Sequence, residues 1–154
     1  MKVVILAGGF GSRLAEETSI KPKPMVEIGG FPIIEHIMNW YMSFGYYEFI
    51  ICLGYKGSEI ISYFKDYNQH NATCLINEDG KLETINHSSK PWKIILAQTG
   101  ISTQTAGRIK KVNKFLNKDE DFLMTYGDGL SNVNINDLIL FHKKNNKLAT
   151  VTAV

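Results

Sequence analysis

The sequence contains little of what several classes of protein require. Its two cysteines, Cys52 and Cys74, have neither metal-type nor redox-type spacing, and Cys52 lies in an apolar run, so we expect buried, reduced thiols. The four histidines are scattered without the spacing of zinc ligands. A formal net charge of +2 is too small to indicate a nucleic-acid or membrane surface. We therefore expect no zinc site, no nucleic-acid partner and no membrane partner.

Long hydrophobic runs are also missing near the amino terminus. One lysine precedes a short apolar run over residues 3–7, which is too short for a signal peptide or a membrane span. The predicted location is the cytoplasm. The composition, with 44% hydrophobic and 21% charged residues, is ordinary for a globular protein, and no low-complexity linker divides the chain. We predict a single domain over residues 1–154.

Short apolar runs alternate with segments of helical periodicity. This alternation predicts an α/β fold with a largely parallel sheet. The predicted strands cover residues 3–7, 49–53, 94–97, 122–125 and 149–154. The predicted helices cover residues 12–17, 32–44, 57–66, 105–116 and 134–146. Because the chain ends inside the last predicted strand, we expect a fold that is incomplete at its carboxyl end.

Residues 68–92 have no clear periodicity. Within them, residues 77–80 read Asn-Glu-Asp-Gly between two short apolar runs, which is typical of a hairpin turn. We interpret this segment as an insertion that acts as a flap or as an oligomer contact.

A glycine-rich stretch follows the first predicted strand. Glycines at the carboxyl end of a buried strand allow the backbone to turn sharply and its N–H groups to converge on phosphate oxygens. Ser12 is a candidate cap for the next helix, whose amino terminus attracts anions. Arg13 and Lys23 add cations nearby, and Pro22 and Pro24 fix the loop that carries Lys23. The combination predicts a triphosphate site.

Other interpretations of the glycines are weaker. A strand-to-helix turn alone often needs glycine. The P-loop pattern is absent because no Gly-Lys-Ser/Thr ends the loop, and Leu14 occupies the third glycine position of the dinucleotide fingerprint. Glu27 lies at a suitable sequence distance for a ribose-binding acid, but Pro22 and Pro24 interrupt the helix that should precede it. An oxidoreductase that binds a dinucleotide is therefore disfavoured.

Two further segments carry candidate site residues. Asp128 follows the strand at residues 122–125, on the same predicted sheet edge as the glycines, where a carboxylate can hold Mg²⁺ against phosphate oxygens. An aspartate that only starts a turn before glycine is the structural alternative. Residues 99–108 join a strand to a helix and place several hydroxyls near Arg108, so they could hold a nucleotide or form a plain polar loop.

Residues 6–14, together with Lys21-Pro22-Lys23-Pro24-Met25-Val26-Glu27, resemble the signature of the sugar-1-phosphate nucleotidyltransferases, and the resemblance extends over essentially the whole chain. It implies a Rossmann-like three-layer α/β/α fold, catalytic roles for Arg13 and Lys23, and Asp128 as a ligand of Mg²⁺. The nucleotide- and substrate-binding residues that it implies are Leu6, Ala7, Gly8, Gly9, Phe10, Gly11, Ser12, Arg13, Lys23, Thr103, Arg108 and Gly127.

Within that family the chain is most similar to members that use CTP and glucose-1-phosphate. The similarity implies CDP-glucose and pyrophosphate as products, a role in nucleotide-sugar and surface-polysaccharide (lipopolysaccharide O-antigen) biosynthesis, and a homo-oligomer. Transfer from dTTP or UTP is the nearest alternative, and a non-catalytic protein that binds nucleotides or sugar phosphates is another. Family members are longer than this chain, and their second metal-binding aspartate is expected beyond residue 154.

Overall fold

A computed structural model describes residues 1–10, 21–67, 72–87 and 90–153. Four helices lie in these ranges: α1 (Ile33–Ser43), α2 (Gly57–Lys65), α3 (Thr105–Val112) and α4 (Ile135–Asn145). The strands there are β1 (Val3–Leu6), β2 (Glu27–Ile28), β3 (Phe31–Pro32), β4 (Glu48–Leu53), β5 (Ala72–Ile76), β6 (Leu82–His87), β7 (Lys93–Gln98) and β8 (Leu123–Tyr126). The helix predicted over residues 12–17 lies outside the described residues.

The central sheet has the strand order β7-β4-β1-β8, and each neighbouring pair is parallel. Its two inner strands are rich in valine and isoleucine, and every residue of β1 is buried. Such continuous apolar strands suit a parallel sheet that is covered on both faces. The predicted α/β class and the largely parallel sheet are confirmed.

Alternate residues of the inner strands pack into two separate cores. Val3 and Ile5 of β1 join the core under α1, α2 and α4, whereas Val4 and Leu6 join the core that contains Val112 of α3. Because successive strand side chains point to opposite faces, helices lie on both sides of the sheet. This arrangement is the predicted three-layer α/β/α fold.

The bounds of α1 follow from its flanking residues. Pro32 has an extended backbone conformation and directly precedes the helix, where a missing N–H costs nothing. Gly45 follows the helix with φ of 87° and donates its N–H to the carbonyl of Met42. A residue without Cβ accepts this left-handed conformation most easily, so the helix ends where the sequence predicts.

Helix α3 is shorter than predicted. It covers Thr105–Val112, and a separate 3-10 turn over Asn113–Phe115 completes the segment that the sequence predicts as one helix. Helix α4 agrees closely with its prediction because the Asn134 side chain accepts hydrogen bonds from the N–H groups of Asn136 and Asp137.

Strands β5 and β6 pair antiparallel around the turn at residues 77–80, so the predicted hairpin is present. Its proposed role as a flap or an oligomer contact stays a prediction. Within the described residues, every helix is too short or too polar to span a lipid bilayer.

The strand predicted over residues 149–154 is wrong for the part that the structure describes. Residues 149–153 form no strand, and Leu148 and Val151 are almost fully exposed. A strand needs a neighbour to pair its backbone, and no described strand lies beside this segment. Local β-propensity therefore does not decide its conformation.

Candidate nucleotide site

The strand order creates a crevice at one edge of the sheet. The chain moves from β1 outward to β4 and β7, and later returns to place β8 on the opposite side of β1. In open α/β sheets, ligands bind at the carboxyl ends of the strands where the order reverses in this way. A cavity of about 330 Å³ opens at this point.

Three chain segments line this cavity, and each follows a parallel strand. They are residues 6–10, which begin with the last residue of β1, residues 101–105, which end with the first residue of α3, and residues 126–128, which begin with the last residue of β8. Lys23, Pro24 and Arg108 complete the lining. The structure thus brings together the sequence-predicted residues Leu6, Ala7, Gly8, Gly9, Phe10, Lys23, Thr103, Arg108, Gly127 and Asp128.

Lys23 is carried by a short, anchored 3-10 turn. Pro24 and Met25 of this turn are buried, which fixes the backbone from which the Lys23 side chain extends. Its Nζ lies 3.6 Å from Oδ2 of Asp128, and the two side chains are 21% and 43% exposed. The separation is longer than a good hydrogen bond, so the ammonium is paired loosely and can reach an anion in the cavity.

Asp128 is held at the rim by the residue before it. The Gly127 N–H donates to the carbonyl of Leu6 at 3.0 Å, which joins the ends of β8 and β1. The accessible Asp128 carboxylate suits Mg²⁺, which retains several waters and needs few protein ligands. Among the described residues, no group of three carboxylate, histidine or cysteine side chains forms a complete metal site. Asp128 therefore fits the metal as one ligand of a set.

The loop of residues 7–10 is tied to its neighbours through backbone atoms. Ala7 donates its N–H to Cys52, and the carbonyl of Gly8 accepts from the N–H of Tyr55 at 3.3 Å. The Phe10 ring contacts the Tyr55 ring with centroids 5.5 Å apart. Neither Gly8 nor Gly9 has a positive φ, so the left-handed conformation that the sequence allows there is not used.

Thr103 is fixed in the cavity wall by Lys111. The Lys111 ammonium donates to the Thr103 hydroxyl at 3.1 Å and to the carbonyl of Thr99 at 2.8 Å. Because Thr103 accepts this hydrogen bond, its own hydroxyl proton can be donated to another acceptor, and a phosphate oxygen is suitable.

Arg108 is 5% exposed, although it lines the cavity. Its terminal N–H groups donate to the carbonyls of Leu53, Gly8 and Ile101 and to the Thr99 hydroxyl, over 2.6 to 3.2 Å. The terminal N–H groups of Arg108 therefore already have protein acceptors. Burial lowers the pKa of Arg108. The direct contact between Arg108 and substrate stays a prediction.

Cys52 lies beneath the same region. Burial raises the pKa of its thiol to about 11, and the nearby positive charge of Arg108 partly opposes the rise. A thiol that retains its proton is a poor nucleophile, so Cys52 is a packing residue.

Some predicted residues lie elsewhere. Gly11, Ser12 and Arg13 lie outside the described residues. Lys21 forms an ion pair with Glu27 at 2.7 Å, and both side chains are about half exposed. Glu27 belongs to the β2–β3 ribbon and does not end a parallel strand, which is where a ribose-binding acid of a dinucleotide fold would lie.

Gly54 and Thr99 contact Arg108, which the sequence interpretation did not predict. Both lie against the Arg108 guanidinium, and Gly54 directly follows β4 just as the glycine loop follows β1. The available signal was the presence of glycines after two strands that the fold places side by side.

Comparison with known proteins adds independent information. Residues 2–154 match the family model described as Nucleotidyl transferase. The chain is 49% identical over 154 residues to a glucose-1-phosphate cytidylyltransferase of Salmonella typhimurium, and 46% identical over 155 residues to a probable glucose-1-phosphate cytidylyltransferase of Bacillus subtilis. These alignments cover 99% and 100% of the chain, which spans 60% of the length of each relative.

A solved structure is also similar. HddC from Yersinia pseudotuberculosis, complexed with GMP-PN, superposes with a TM-score of 0.66 at 27% sequence identity. The superposition covers 92% of this chain and 53% of HddC.

Proposed function

The chain belongs to the nucleotidyl transferase family, and from that premise we propose that it transfers a cytidylyl group from CTP to glucose-1-phosphate, giving CDP-glucose and pyrophosphate. The observation that carries the proposal is the cavity at the ends of β1 and β8, where Lys23 and Asp128 face the same space as residues 7–10. The relatives at 46–49% identity support the choice of CTP and glucose-1-phosphate.

The reaction needs alignment more than covalent chemistry from the protein. An oxygen of glucose-1-phosphate attacks the α-phosphorus of CTP in line, a P–O bond forms, and the bond to pyrophosphate breaks. No protein nucleophile takes part. Holding two reactants in position can lower a barrier by about 7–11 kcal/mol in favourable cases. The anchored turn at Lys23 and the tied loop at residues 7–10 are suited to this positioning.

Lys23 neutralises negative charge as it develops on the phosphate oxygens. Its ammonium is partly shielded from water by the cavity wall, so its interaction with phosphate is stronger than in bulk solvent. Removing one well-placed donor of this kind typically costs about 3–4 kcal/mol of barrier lowering. Arg13 is assigned to the same role as a prediction from the family resemblance.

Asp128 would hold Mg²⁺ as one of its ligands, and the bound ion would supply Lewis-acid stabilisation of phosphate charge. Thr103 would donate its hydroxyl proton to a phosphate oxygen, because its hydroxyl oxygen already accepts from Lys111. Lys111 holds that hydroxyl by its hydrogen bond.

We also propose that the product serves surface-polysaccharide synthesis and that the protein acts in the cytoplasm as a homo-oligomer. Two exposed apolar side chains of β5, Leu75 and Ile76 at 46% and 69% exposure, support a self-contact there. Light scattering after gel filtration measures the assembly directly. A monomer at micromolar concentration would contradict this part of the proposal.

A second candidate differs in the base. HddC is described as complexed with GMP-PN, and the described cavity wall identifies phosphate-binding groups more clearly than base-binding groups. A purine or another pyrimidine triphosphate is therefore the rival donor.

The test is a product assay with four donors. The protein is incubated with Mg²⁺, glucose-1-phosphate and CTP, dTTP, UTP or GTP, and pyrophosphate and sugar nucleotide are measured. We expect equal amounts of CDP-glucose and pyrophosphate from CTP, and much less product from the others. Preference for another triphosphate would overturn the base assignment. Binding of CTP without pyrophosphate from any donor would overturn the proposed transfer and support a non-catalytic binding role.

A further inference from the structure

We propose that Arg108 is a positioning residue that fixes the backbone of residues 7–10 from below, and that Gly8 and Gly54 provide the space for its guanidinium. The inference rests on the proposed function in one respect, namely that residues 7–10 bind the polyphosphate. In this role Arg108 acts on the nucleotide through the loop.

The hydrogen bonds of Arg108 join three neighbouring strand ends. Nη2 donates to Gly8 beyond β1 at 2.8 Å and to Ile101 beyond β7 at 3.2 Å. Nη1 donates to Leu53 at the end of β4 at 2.9 Å, and to the Thr99 hydroxyl at 2.6 Å. Both terminal nitrogens carry two N–H groups, so these four acceptors use all of the terminal donors. A guanidinium is the side-chain group that can hold several acceptors in one rigid plane.

The two glycines explain how the guanidinium reaches these carbonyls. A Cβ at Gly8 would overlap the Arg108 guanidinium, and a Cβ at Gly54 would lie 2.7 Å from Nη1 and 2.6 Å from the Gly8 carbonyl. Neither glycine has a positive φ, so backbone conformation does not explain their presence. Leu6 and Cys52 pair in the sheet, which places the two glycines side by side above Arg108.

The charge of Arg108 has no carboxylate partner among the described residues. Its acceptors are neutral carbonyls and a hydroxyl, although the side chain is 95% buried. Burying a charge is costly unless polar atoms surround it, and the four acceptors meet that need. An ion pair therefore does not explain why an arginine is buried at this position. The group that it orders is the loop at the cavity floor.

The loop amides bear directly on phosphate binding. The Gly8 carbonyl and the Gly9 N–H belong to one planar trans peptide and point in opposite directions. Holding the carbonyl on Arg108 therefore turns the Gly9 N–H away from the guanidinium, and Gly9 lines the cavity. A displacement of about 1 Å in a positioning group can lower a reaction rate by about 100-fold. Arg108→Lys keeps the charge but has a single nitrogen, which cannot span the four acceptors.

The experiment compares Arg108→Lys and Gly54→Ala with the wild type and with Lys110→Ala, an exposed change on the same helix. Amide hydrogen exchange is measured without nucleotide at Tyr55 and Thr99, whose N–H groups donate to the Gly8 and Leu53 carbonyls that Arg108 also holds. It is also measured at Ala7, whose N–H ties the start of the loop to the Cys52 carbonyl. We expect exchange at these amides to accelerate at least tenfold in both variants, and to stay unchanged in the centre of β4 and in Lys110→Ala. Unchanged exchange in either folded variant would overturn the proposal.

The dissociation constants of CTP, CMP and cytidine are then measured by calorimetry. We expect Arg108→Lys to weaken CTP at least tenfold and cytidine less than twofold, because the loop holds phosphates. Wild-type affinity for CTP in Arg108→Lys would show that charge alone is sufficient and would refute the positioning role. Equal losses for all three ligands would indicate a general folding defect and would also refute it. Accelerated exchange in a protein whose wild type does not bind CTP would contradict the proposed function and leave the Arg108 arrangement supported.

Discussion

Gly127 lies where the chain after β8 crosses the turn that carries Lys23, and its replacement by alanine tests the geometry of the site. A Cβ at residue 127 would lie 2.8 Å from Cγ and 3.2 Å from Cβ of Pro24. Gly127 has no positive φ, so its backbone accepts alanine without conformational strain. The cost of Gly127→Ala is therefore steric: the contact with the Pro24 ring, and a tight approach of 3.3 Å to the Leu6 carbonyl oxygen.

The size of the effect follows from how little Pro24 can move. The ring must retreat by about 0.6 Å to restore ordinary contact, and overpacking of this kind costs about 1–3 kcal/mol. Pro24 is buried, and its displacement is transmitted to the adjacent Lys23. We expect the melting temperature to fall by about 2–4 °C for each kcal/mol lost. Since displacements of about 1 Å can cost about 100-fold in rate, we expect turnover to fall by about tenfold or more.

The matched control is Gly129→Ala, because a Cβ at residue 129 meets no atom closer than 3.8 Å. Turnover is measured by pyrophosphate release, and stability by thermal unfolding of both variants. We expect Gly127→Ala to lose both rate and stability and Gly129→Ala to retain both. Equal behaviour of the two variants would refute the claim that contact between residue 127 and Pro24 sets the position of Lys23.

Three further predictions concern single side chains. Lys23→Ala should lower turnover by about 100- to 1,000-fold in the pyrophosphate assay. It should change the free energy of unfolding by about 1 kcal/mol or less, because its pair with Asp128 is partly exposed and loose; an unaltered rate would remove Lys23 from catalysis. Glu35→Ala should destabilise the fold by about 1–3 kcal/mol in urea unfolding, since two tyrosine hydroxyls that donate to this buried carboxylate lose their acceptor. The exposed Glu59→Ala is its control, and equal effects would contradict the prediction. The raised pKa of Cys52 means that the folded state retains a proton that the unfolded state releases, so stability should be full below about pH 9 and fall as the pH rises toward about 11. Burial also raises the pKa values of Tyr41, Tyr63 and Tyr67, so part of the decline is expected to remain in Cys52→Ala. A shallower decline in Cys52→Ala would confirm the assignment, and an identical decline would contradict it.

The sequence predicts the central sheet and the bounds of α1 well because local and tertiary signals agree there. Residues 49–53 form a continuous apolar run, and the structure buries them in β4. Pro32 and Gly45 mark the ends of α1 by backbone rules that need no tertiary information. The same local rules fail at residues 149–153, where strand formation depends on a pairing partner that lies outside local sequence.

The site shows a similar division. Glycines, cations and an aspartate after successive strands indicate that Gly8, Lys23 and Asp128 meet at one sheet edge, and the cavity contains all three. The donors of Arg108 could not be assigned in this way, because the acceptors come from segments up to 100 residues away along the chain. Sequence patterns predict which residues approach an edge, whereas burial and hydrogen-bond direction depend on packing.

The central claim is that the polyphosphate of CTP binds in the crevice between the ends of β1 and β8. The most direct measurement is a titration of the isotopically labelled protein with CTP and Mg²⁺, followed by backbone amide chemical shifts. We predict that the largest shifts occur at residues 7–10, 101–105 and 126–128, which line the cavity. Shifts concentrated in the β5–β6 hairpin, or no shifts at millimolar CTP, would contradict the claim.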